Sequence, residues 1–425
     1  MKQDRRRRVA KGGTLILGGG FGGAHVARLL PEATIVSLES SMLFTPLLPE
    51  VAAGAIEPRH AFVPLRLMCP NAELLRGRAT SLDEVARTIT VETDVGACEV
   101  SYRRLVVALG SCARMLPIPG LVERAMTFKD LGDAIRLRNH VIRQLDLAEA
   151  DPSQARRHLT FVFVGAGYAG VEALAEMRQL VADAVDHYPA LTGVPQRWVL
   201  VDAGPSVLAE VPRQLAEHTT AQLRRHGVEI LTSTTVTSVD ERAVTLADGR
   251  RLDAATLVWT AGVVTNPLVH TLGLPLDARG RIIVDSSLRV GGRSDVWALG
   301  DCAAVPNAAT PGRLDPPTCQ HAVRQARALS ASLGGAAKPY SYRSIGEGAT
   351  LGRGQGVARV YRLHVRGRLG ALVTRGYHIG SVPLLSRRLR ILADGVLSVV
   401  FGRDLTELGT VEGAGEDWFR PSPVR

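Results

Sequence analysis

Cysteine pairs and long apolar runs are the first features that this sequence lacks. Its five cysteines are odd in number and show neither a CxxC pair nor metal-ligand spacing, which argues against a disulfide framework and against a metal site. No apolar stretch approaches the roughly 20 residues of a transmembrane helix. The opening residues, MKQDRRRRVAKGG, lack the apolar segment of a secretory signal. We therefore expect a protein of a reducing compartment whose first residues form a solvated basic tail.

Lysine is also scarce, and the positive charge is unevenly placed. Only four of the 51 basic residues are lysine, a bias typical of a GC-rich bacterial genome. The segment from Arg353 to Arg403 contains ten arginines against one acid, Asp394, a net charge of +9 out of +10 for the chain. No nucleic-acid-binding motif accompanies this charge, so no nucleic-acid partner is expected.

Two glycine-rich turns dominate what the sequence does contain. In TLILGGGFGG, Thr14 to Gly23, an apolar strand leads into a turn and a helix, and the next strand, TIVSLE, ends on Glu39. In FVFVGAGYAGVE, Phe161 to Glu172, the same order recurs, and the partner strand RWVLVDAG leads to Asp202. Such a unit places dinucleotide phosphates at the helix N-terminus and a ribose hydroxyl on the acid. One match is weak evidence, but two complete matches predict two bound dinucleotides.

The order of the remaining segments predicts how the domains are arranged. Further apolar strands, YRRLVVALGS, TLVWTAGV and DVWALGD, end at glycine, and a long amphipathic helix is expected between Met126 and Ala150. At 425 residues the chain is long enough for two or three domains. We predict an α/β protein in which a second Rossmann-like domain is inserted into a first. The expected boundaries are 12–155 and 263–335 for the first domain, 156–262 for the second, and 336–425 for a C-terminal basic region.

The chain resembles the flavoproteins with two dinucleotide-binding domains, of the pyridine nucleotide-disulfide oxidoreductase superfamily. Among these it is most similar to type II NADH:quinone oxidoreductases, also called alternative NADH dehydrogenases. The resemblance covers about residues 12 to 410 and rests on nine stretches in order: ILGGGFGG, LFTPLLPEVAAG, LVVALGS, FKDLGDAIRLRNHV, FVFVGAGYAGVE, LVDAGPSVL, VWTAGVVTNPL, VWALGDCA and PPTCQHAVRQA. It implies FAD at the first site and NADH at the second.

Carried over residue by residue, the resemblance implies a set of FAD contacts. Glu39 would bind the adenosine ribose, and Asp301, at the end of WALGD, would contact the ribityl or pyrophosphate part, although a helix N-cap is an alternative role for it. Gly18, Gly20 and Gly23 would line the FAD pyrophosphate. Further cofactor contacts, expected at turns and strand ends without assignment to one of the two cofactors, are Phe21, Gly22, Ala108, Gly110 and Gly262.

The resemblance likewise implies the NADH contacts. Gly165, Gly167 and Gly170 would receive the pyrophosphate. A carboxylate at Asp202 would bind the ribose and repel the 2′-phosphate of NADPH, so NADH is favoured. Glu172 is either an ordinary acid of a helix first turn or, as in the family, a group beside the nicotinamide and flavin.

The sequence also bears on the electron acceptor. A disulfide substrate is not expected, because SSMLFTPLLPEVAAG after Glu39 contains no cysteine, and Cys302 and Cys319 are interpreted as buried thiols. The resemblance instead implies a quinone, menaquinone or ubiquinone, bordered by the family pattern A-Q-x-A-x-Q-Q-G. The candidate residues, also open to interpretation as a polar helix face, are Gln320, His321, Arg324 and Gln325.

Departures from that pattern leave the acceptor open. Cys319, Arg324 and Ala326 replace an alanine, a glutamine and the glycine of the family. The expected reaction is hydride transfer from NADH to the flavin, then transfer of two electrons and two protons to the quinone, with Glu172 or His321 as possible proton relays. No metal is expected to take part.

The C-terminal basic region is expected to meet an anionic membrane. SVPLLS and GVLSVVFG are short apolar runs set among arginines, which suits the headgroup region of a bilayer. The alternative is a solvated face that packs on the FAD domain. The hypothesis is a peripheral enzyme on the cytoplasmic face of a bacterial inner membrane, with a homodimer possible. Its rivals are a soluble NAD(P)H-dependent flavoprotein reductase with another acceptor and a non-enzymatic FAD/NADH redox sensor.

Overall fold

The computed structural model describes residues 6–30, 32–335 and 338–408. Contacts within the chain group it into two compact units. The first unit consists of Met1–Phe44, Phe62–Cys112 and Val263–Ser344. The second consists of Thr45–Ala61, Ala113–Gly262 and Ile345–Arg425.

The core of the first unit is a five-stranded parallel sheet. Its strands, in spatial order, are Val296–Ala298, Arg104–Val107, Thr14–Leu17, Thr34–Ser37 and Glu73–Arg76. The central strand Thr14–Leu17 is buried along its whole length, as expected for an apolar strand covered on both faces. The helix Phe21–Leu29, called here the first glycine helix, follows this strand and packs on the helix Cys319–Leu333.

Smaller elements complete the first unit. A four-stranded sheet contains Arg6–Val9, Gly96–Ser101, Thr88–Thr93 and Arg78–Asp83. The other elements are the strands Ser41–Leu43, Phe62–Pro64, Val263–Thr265, Ile282–Ile283 and Ala303–Ala304, the helices Leu65–Met68 and Leu268–Thr271, and the 3-10 turns Lys11–Gly13 and Gly300–Cys302. The strand Ser111–Ala113 runs from the first unit into the second.

The second unit repeats the same plan. Its five-stranded parallel sheet has the order Met126–Thr127, Thr256–Trp259, Thr160–Val164, Arg197–Val201 and Val228–Leu231. The strand Thr160–Val164 leads into the helix Tyr168–Ala184, called here the second glycine helix. Two parallel sheets, each with a helix entered through a glycine turn, confirm the α/β prediction of two Rossmann-like domains.

The second unit also contains two antiparallel sheets and most of the helices. The sheets are Val236–Val239, Ala243–Leu246 and Arg251–Asp253, and Gly346–Thr350, Gly356–Val360 and Leu363–Arg366. The helices are Leu48–Ala52, Leu121–Arg124, Leu131–Ala150, Ala155–His158 and Arg213–Arg225, with Gly367–Ser381 and Leu385–Val400 as the C-terminal helices. The 3-10 turns are Thr45–Leu47, Pro58–Ala61, Val185–His187 and Pro189–Leu191.

The contact grouping differs from the boundaries expected from the sequence. Residues 113–155 pack in the second unit, where the Trp259 indole donates to the Arg114 carbonyl at 2.7 Å. The expected C-terminal region does not stand alone: its residues up to Ser344 belong to the first unit, and those from Ile345 belong to the second. Residues 409–425 lie outside the described part of the chain.

Two local differences concern the N-terminus and the long helix. Residues 6–9, expected as a solvated tail, form a strand that pairs in parallel with Gly96–Ser101, while residues 1–5 lie outside the described range. The long helix begins at Leu131 because Asp130 caps it: its carboxylate accepts from the Asp133 amide at 2.8 Å in a capping box.

Among the helices of the described ranges, none combines the length and the apolar composition needed to cross a bilayer.

Candidate functional site

The first glycine turn lies at the carboxyl edge of the first sheet. Leu17, Val107 and Ala298 are in-register neighbours on three adjacent parallel strands. The amide of Ala108 donates to the Leu17 carbonyl at 2.8 Å, and the amide of Leu299 donates to the Val107 carbonyl at 3.1 Å. The loops that follow these strands therefore leave the sheet at one edge, which is where doubly wound sheets bind their ligands.

A side chain would meet different surroundings at each glycine of the first turn. Gly18 has φ +105°, and a Cβ there would lie 2.3 Å from the Ala108 carbonyl oxygen. A Cβ on Gly23 would lie 1.9 Å from the Gly18 oxygen, so only glycine lets the helix approach the turn. Gly20 is the helix N-cap, and a Cβ there would meet nothing within 4 Å among the described residues. The open N-terminus, with amides that no capping side chain satisfies, fits a pyrophosphate.

Asp301 and Glu39, two further expected FAD contacts, lie in different surroundings. Asp301 lies in the turn Gly300–Cys302, where its Oδ2 accepts from the Ser111 hydroxyl at 2.6 Å. The N-cap of that turn is Leu299, so Asp301 does not serve as its cap. Glu39 lies two residues beyond the strand Thr34–Ser37, with an exposed side chain.

The second glycine turn repeats this geometry in the second unit. Gly165 has φ +109°, and a Cβ there would lie 2.7 Å from the Thr260 carbonyl carbon. A Cβ on Gly170 would lie 1.8 Å from the Gly165 oxygen, whereas one on Gly167, the helix N-cap, would meet nothing within 4 Å of the described chain. The second turn therefore fits a second pyrophosphate, for the same reasons as the first. Gly262, also with positive φ at +98°, follows the adjacent strand.

Asp202 accepts hydrogen bonds from the backbone around the second glycine turn. Its Oδ2 accepts from the Ala166 amide and its Oδ1 from the Gly204 amide, each at 2.6 Å. These bonds tie the glycine turn to the loop after the strand Arg197–Val201. Each carboxylate oxygen keeps a further lone pair that can accept from a ribose hydroxyl.

Three of the four candidate acceptor residues surround one tyrosine. Gln320 Oε1 accepts from the Tyr342 hydroxyl at 3.3 Å, and the His321 ring meets the Tyr342 ring edge-on with centroids 5.3 Å apart. The Arg324 guanidinium lies 5.3 Å from the Tyr342 ring centroid, a cation–π distance. His321 Nδ1 also pairs with the Thr318 hydroxyl at 2.7 Å. All four groups belong to the first unit.

Gln325, the fourth candidate, points into the first unit. It is 2% exposed, its Nε2 donates to Asp315 at 2.9 Å, and its Oε1 accepts from the Gly300 amide at 2.8 Å. The oxygen end of the amide thus holds the turn that carries Asp301, and the nitrogen end is fixed by Asp315. The geometry gives Gln325 a positioning role beside the expected FAD contact.

Glu172 is buried at the start of the second glycine helix. It is 7% exposed and accepts from the Thr350 amide at 2.8 Å and from the Thr350 hydroxyl at 3.1 Å. Burial, followed by the charge of Glu50, raises the pKa of Glu172 to about 8. A carboxyl that keeps its proton at neutral pH can act as a proton donor.

Comparison with known proteins decides the family. The family model for pyridine nucleotide-disulphide oxidoreductases matches residues 13–326. A type II NADH:quinone oxidoreductase from Mycobacterium tuberculosis is 30% identical over 401 residues, covering 88% of this chain and 84% of that protein. This chain belongs to the family of type II NADH:quinone oxidoreductases, within the pyridine nucleotide-disulphide oxidoreductases.

Other type II and related proteins are similar over the full length. A probable NADH dehydrogenase from Dictyostelium discoideum is 26% identical and covers 95% of this chain and 93% of that protein. The structure of NDH2 from Plasmodium falciparum in complex with NADH matches with a TM-score of 0.86 over 94% of this chain and 100% of that chain. At 18% identity, that likeness shows the shared fold.

Two buried cysteines of this protein are unsuited to the disulphide chemistry in the family name, whereas Cys319, which was expected to be buried, is partly exposed. Cys302 is fully buried, and its Sγ lies 3.3 Å from the Leu299 carbonyl oxygen. Burial raises the pKa of Cys302 to about 11, and that of Cys69 also to about 11. Since the thiolate is the reactive form, neither thiol is a nucleophile at neutral pH.

Sequence reasoning missed a group of charges in the second unit of this protein, of which Glu50, Glu176 and Arg403 are buried and the others are partly exposed. It contains Glu50, Glu176, Asp183, Arg375 and Arg403 around Glu172. Part of it was visible in the sequence, because Glu172 and Glu176 are four residues apart and share a helix face. Glu50 was also visible as a lone acid in the apolar run LFTPLLPEVAAG. The arginines were assigned only to a membrane surface.

Proposed function

We propose that this protein oxidises NADH and reduces a membrane quinone, with FAD in the first unit and NADH in the second. One observation supports this more than any other: two glycine turns of the same geometry, each open where a pyrophosphate would bind. Bound flavin supplies the redox chemistry, accepting a hydride and passing on two electrons. The chain's residues bind and orient the cofactors and manage protons.

On this proposal each of the two glycine turns holds one cofactor. The Gly20 end of the first glycine helix and Asp301 hold FAD, and Gln325 keeps the Asp301 turn in place through the Gly300 amide. The Gly167 end of the second glycine helix and Asp202 hold NADH. The carboxylate of Asp202 would repel a 2′-phosphate, so we expect NADH to be preferred over NADPH.

The acceptor proposal depends on the polar group around Tyr342. Gln320, His321 and Arg324 present amide, imidazole and guanidinium groups on one helix of the first unit. These groups can donate hydrogen bonds to the two carbonyl oxygens of a quinone ring. The changes from the family pattern at this helix are compatible with a different quinone within the same class.

The two C-terminal helices support a membrane as the place where the quinone is met. Their exposed apolar side chains recur at helical spacing and form a stripe on each helix. The most exposed apolar residues of the two helices are Leu369, Leu372, Leu385, Leu389, Leu392, Val396, Leu397, Val399 and Val400, together with Phe401 after the second helix. Soluble proteins rarely expose apolar patches of this kind without a function.

Arginines on and beside these stripes favour an anionic surface. Arg387, Arg388 and Arg390 lie on the helix Leu385–Val400, within the segment of net charge +9. An apolar stripe between basic side chains is the arrangement of helices that lie in the headgroup region of a bilayer. We therefore place the protein at the cytoplasmic face of a bacterial membrane, in contact with lipid through this helix pair.

The reaction is tested by adding NADH to the FAD-loaded protein with different acceptors. We expect NADH to bleach the flavin and to be oxidised continuously with menaquinone or ubiquinone, but slowly with a ferredoxin-type protein. Fast turnover with ferredoxin and none with quinones would instead make the protein a soluble reductase. Stable bleaching without turnover on any acceptor would identify a sensor.

Membrane binding is tested by pelleting the protein with vesicles of phosphatidylglycerol and phosphatidylcholine. Wild type should pellet with the anionic mixture, and high salt should reduce the bound fraction because screening weakens the arginine contribution. The double variant Leu389→Glu, Leu392→Glu should lose most of the binding. Val85→Glu, at a 98% exposed position of the first unit, is the matched control and should bind like wild type. Equal binding by all three proteins would contradict the proposal.

A further inference from the structure

The second unit contains four acids that pack together. Glu172, Glu176 and Asp183 lie on the second glycine helix at spacings of four and seven residues, which places them on one face. The helix Leu48–Ala52 packs against that helix and brings Glu50 to the group. The exposed fractions are 3% for Glu50, 7% for Glu172 and 0% for Glu176.

The acids are neutralised unequally. Glu176 pairs with Arg403 at 2.5 Å and with Arg375 at 3.6 Å, and Asp183 pairs with Arg403 at 3.3 Å. Glu172 is held by Thr350, as described above. Glu176 Oε1 and Asp183 Oδ2 lack hydrogen bonds to described residues but lie within ion-pair distance of these arginines. Glu50 Oε2 is also buried, and it has no hydrogen-bond partner within the part of the chain that the structure describes.

Glu50 also lines a cavity of about 70 Å³ in the second unit. The wall includes Asp183, Arg375 and Arg403, with Ile379 and Ile391 among its apolar members. A site for one water needs roughly 10–15 Å³ of such volume, so several waters fit here. Glu50 thus lines the cavity and also interacts electrostatically with Glu172 and Glu176.

The electrostatics make Glu50 and Glu172 able to exchange protons near neutral pH. Burial, followed by the charge of Glu176, raises the pKa of Glu50 to about 7, against the opposing effects of Arg375 and Arg403. The pKa of Glu172 is higher, about 8, because of burial and then the charge of Glu50. Ionisation of Glu50 therefore helps to hold the proton on Glu172.

The helix Leu131–Ala150 also packs against Leu48–Ala52, and the charge that it brings is Arg138. This guanidinium contacts the segment at Gly54 and donates to the backbone carbonyl of Asp404 at 2.5 Å. Arg138 therefore serves the segment after Glu50 and leaves the Glu50 carboxyl to Glu172, Glu176 and the two arginines.

We propose that Glu50 is a proton-relay residue, which takes protons from water in the cavity and passes them to Glu172 while the enzyme reduces quinone. The inference rests on the proposed function. NADH, one proton and a quinone give NAD⁺ and a quinol, so each turnover consumes one proton from water together with the hydride. Glu172 releases that proton towards the acceptor, Glu50 restores it, and water in the cavity reprotonates Glu50. Both carboxyls end each cycle as they began.

The experiment compares Glu50→Gln with wild type on two acceptors. Quinone reduction consumes a proton, whereas ferricyanide takes electrons without one. For Glu50→Gln we expect quinone turnover to fall by at least about tenfold, within the usual range for loss of a proton-transfer group. We also expect its pH profile to change near neutrality, while ferricyanide reduction and flavin bleaching by NADH stay at wild-type rates. Glu50→Asp, which keeps a carboxyl at the cavity, should recover part of the quinone turnover.

The matched control is Glu57→Gln, on the same segment, where the side chain pairs with Arg59 at the surface. Its turnover on both acceptors should equal that of wild type. Equal losses on quinone and ferricyanide for Glu50→Gln, or an unchanged quinone rate and pH profile, would overturn the relay.

A second readout does not depend on turnover. Infrared spectroscopy detects the carbonyl stretch of protonated carboxyl groups, and in wild type this signal should decrease as the pH rises from about 6 to about 9. Glu50→Gln should remove one component of that change. If wild type reduces no quinone, the proposed function fails, and the infrared titration still decides whether Glu50 exchanges protons. Identical titrations of wild type and Glu50→Gln would overturn the inference.

Discussion

At the scale of single residues, the cost of burying a carboxyl is visible in Glu172. The two hydrogen bonds from Thr350 favour its charged form, yet burial outweighs them and the pKa still rises to about 8. The same competition, without hydrogen bonds to Oε2, acts on Glu50. At neutral pH the second unit therefore keeps Glu172 mostly protonated and Glu50 partly protonated, where ordinary glutamates would be ionised.

This arrangement predicts a pH dependence of stability. The folded state holds the Glu172 proton up to a pH of about 8, whereas the ordinary value is 4.5. Between these values folding takes up a proton, so this group's contribution to the free energy of unfolding falls by about 1.4 kcal/mol per pH unit as the pH rises. Glu172→Gln keeps an acceptor for Thr350 but has no proton to lose. Urea unfolding at several pH values should show the variant gaining on wild type as the pH rises, and a constant difference would contradict this.

Some residue roles could be predicted from the sequence and others could not. The turn glycines were predictable because a strand, a tight turn and a helix are encoded within about ten consecutive residues. The part that Gln325 plays in holding the Asp301 turn was not, because the family pattern suggested a residue beside the quinone. Its burial depends on Asp315 and Gly300, which reach it only through the fold.

At the scale of elements, an ion pair fastens the C-terminal segment to the second glycine helix. Arg403 is 4% exposed, donates to Glu176 and also donates to the Ala53 carbonyl at 3.1 Å. The partners Glu176 and Arg403 are 227 residues apart in the sequence. No local pattern connects such positions, which explains why the C-terminal region was expected to be a separate piece.

Removing this fastening should loosen the C-terminal helices. Arg403→Met leaves Glu176 buried without its closest counter-charge, and breaking a buried pair in this way typically costs about 3–5 kcal/mol. We expect a lower melting temperature and faster hydrogen exchange in residues 385–400. The double variant Arg403→Met, Glu176→Met removes both charges and should recover part of the loss. A single variant within about 1 kcal/mol of wild type, or a double variant no better than it, would show that the pair is unimportant.

At the scale of the whole molecule, the two units repeat one design with different tasks. The glycine turns agree closely. A Cβ on Gly23 would lie 1.9 Å from the Gly18 oxygen and one on Gly170 would lie 1.8 Å from the Gly165 oxygen, whereas a Cβ on Gly20 or Gly167 would meet no described atom within 4 Å. The α/β class and the two-domain plan were predicted correctly because this design repeats in the sequence. The assignment of residues 113–155 to the second unit was not predicted, since it depends on long-range packing.

Because the two glycine turns have the same design, a substitution in one turn should weaken the binding of one cofactor only. A Cβ at Gly20 or Gly167 meets no described atom within 4 Å, so both alanine variants should fold, but the methyl group enters the space proposed for a pyrophosphate. Gly167→Ala should weaken NADH binding by about tenfold or more, about 1.4 kcal/mol, with a normal flavin content. Gly20→Ala should lose flavin during dialysis and bind NADH normally. Flavin absorbance and NADH titration measure the two effects, and the same loss of both cofactors in each variant would refute this division.

Asp394, the single acid between Arg353 and Arg403, has a largely buried side chain. Asp394 accepts from the Glu57 amide at 3.2 Å and pairs with His60 Nδ1 at 2.6 Å, and its side chain is 13% exposed. The Asp394 carboxylate therefore attaches the helix Leu385–Val400 to the segment that contains Glu57 and His60. No other carboxylate of this segment offsets the charge of its arginines. Acidic lipid should therefore be attracted to every side of the helix that remains in water.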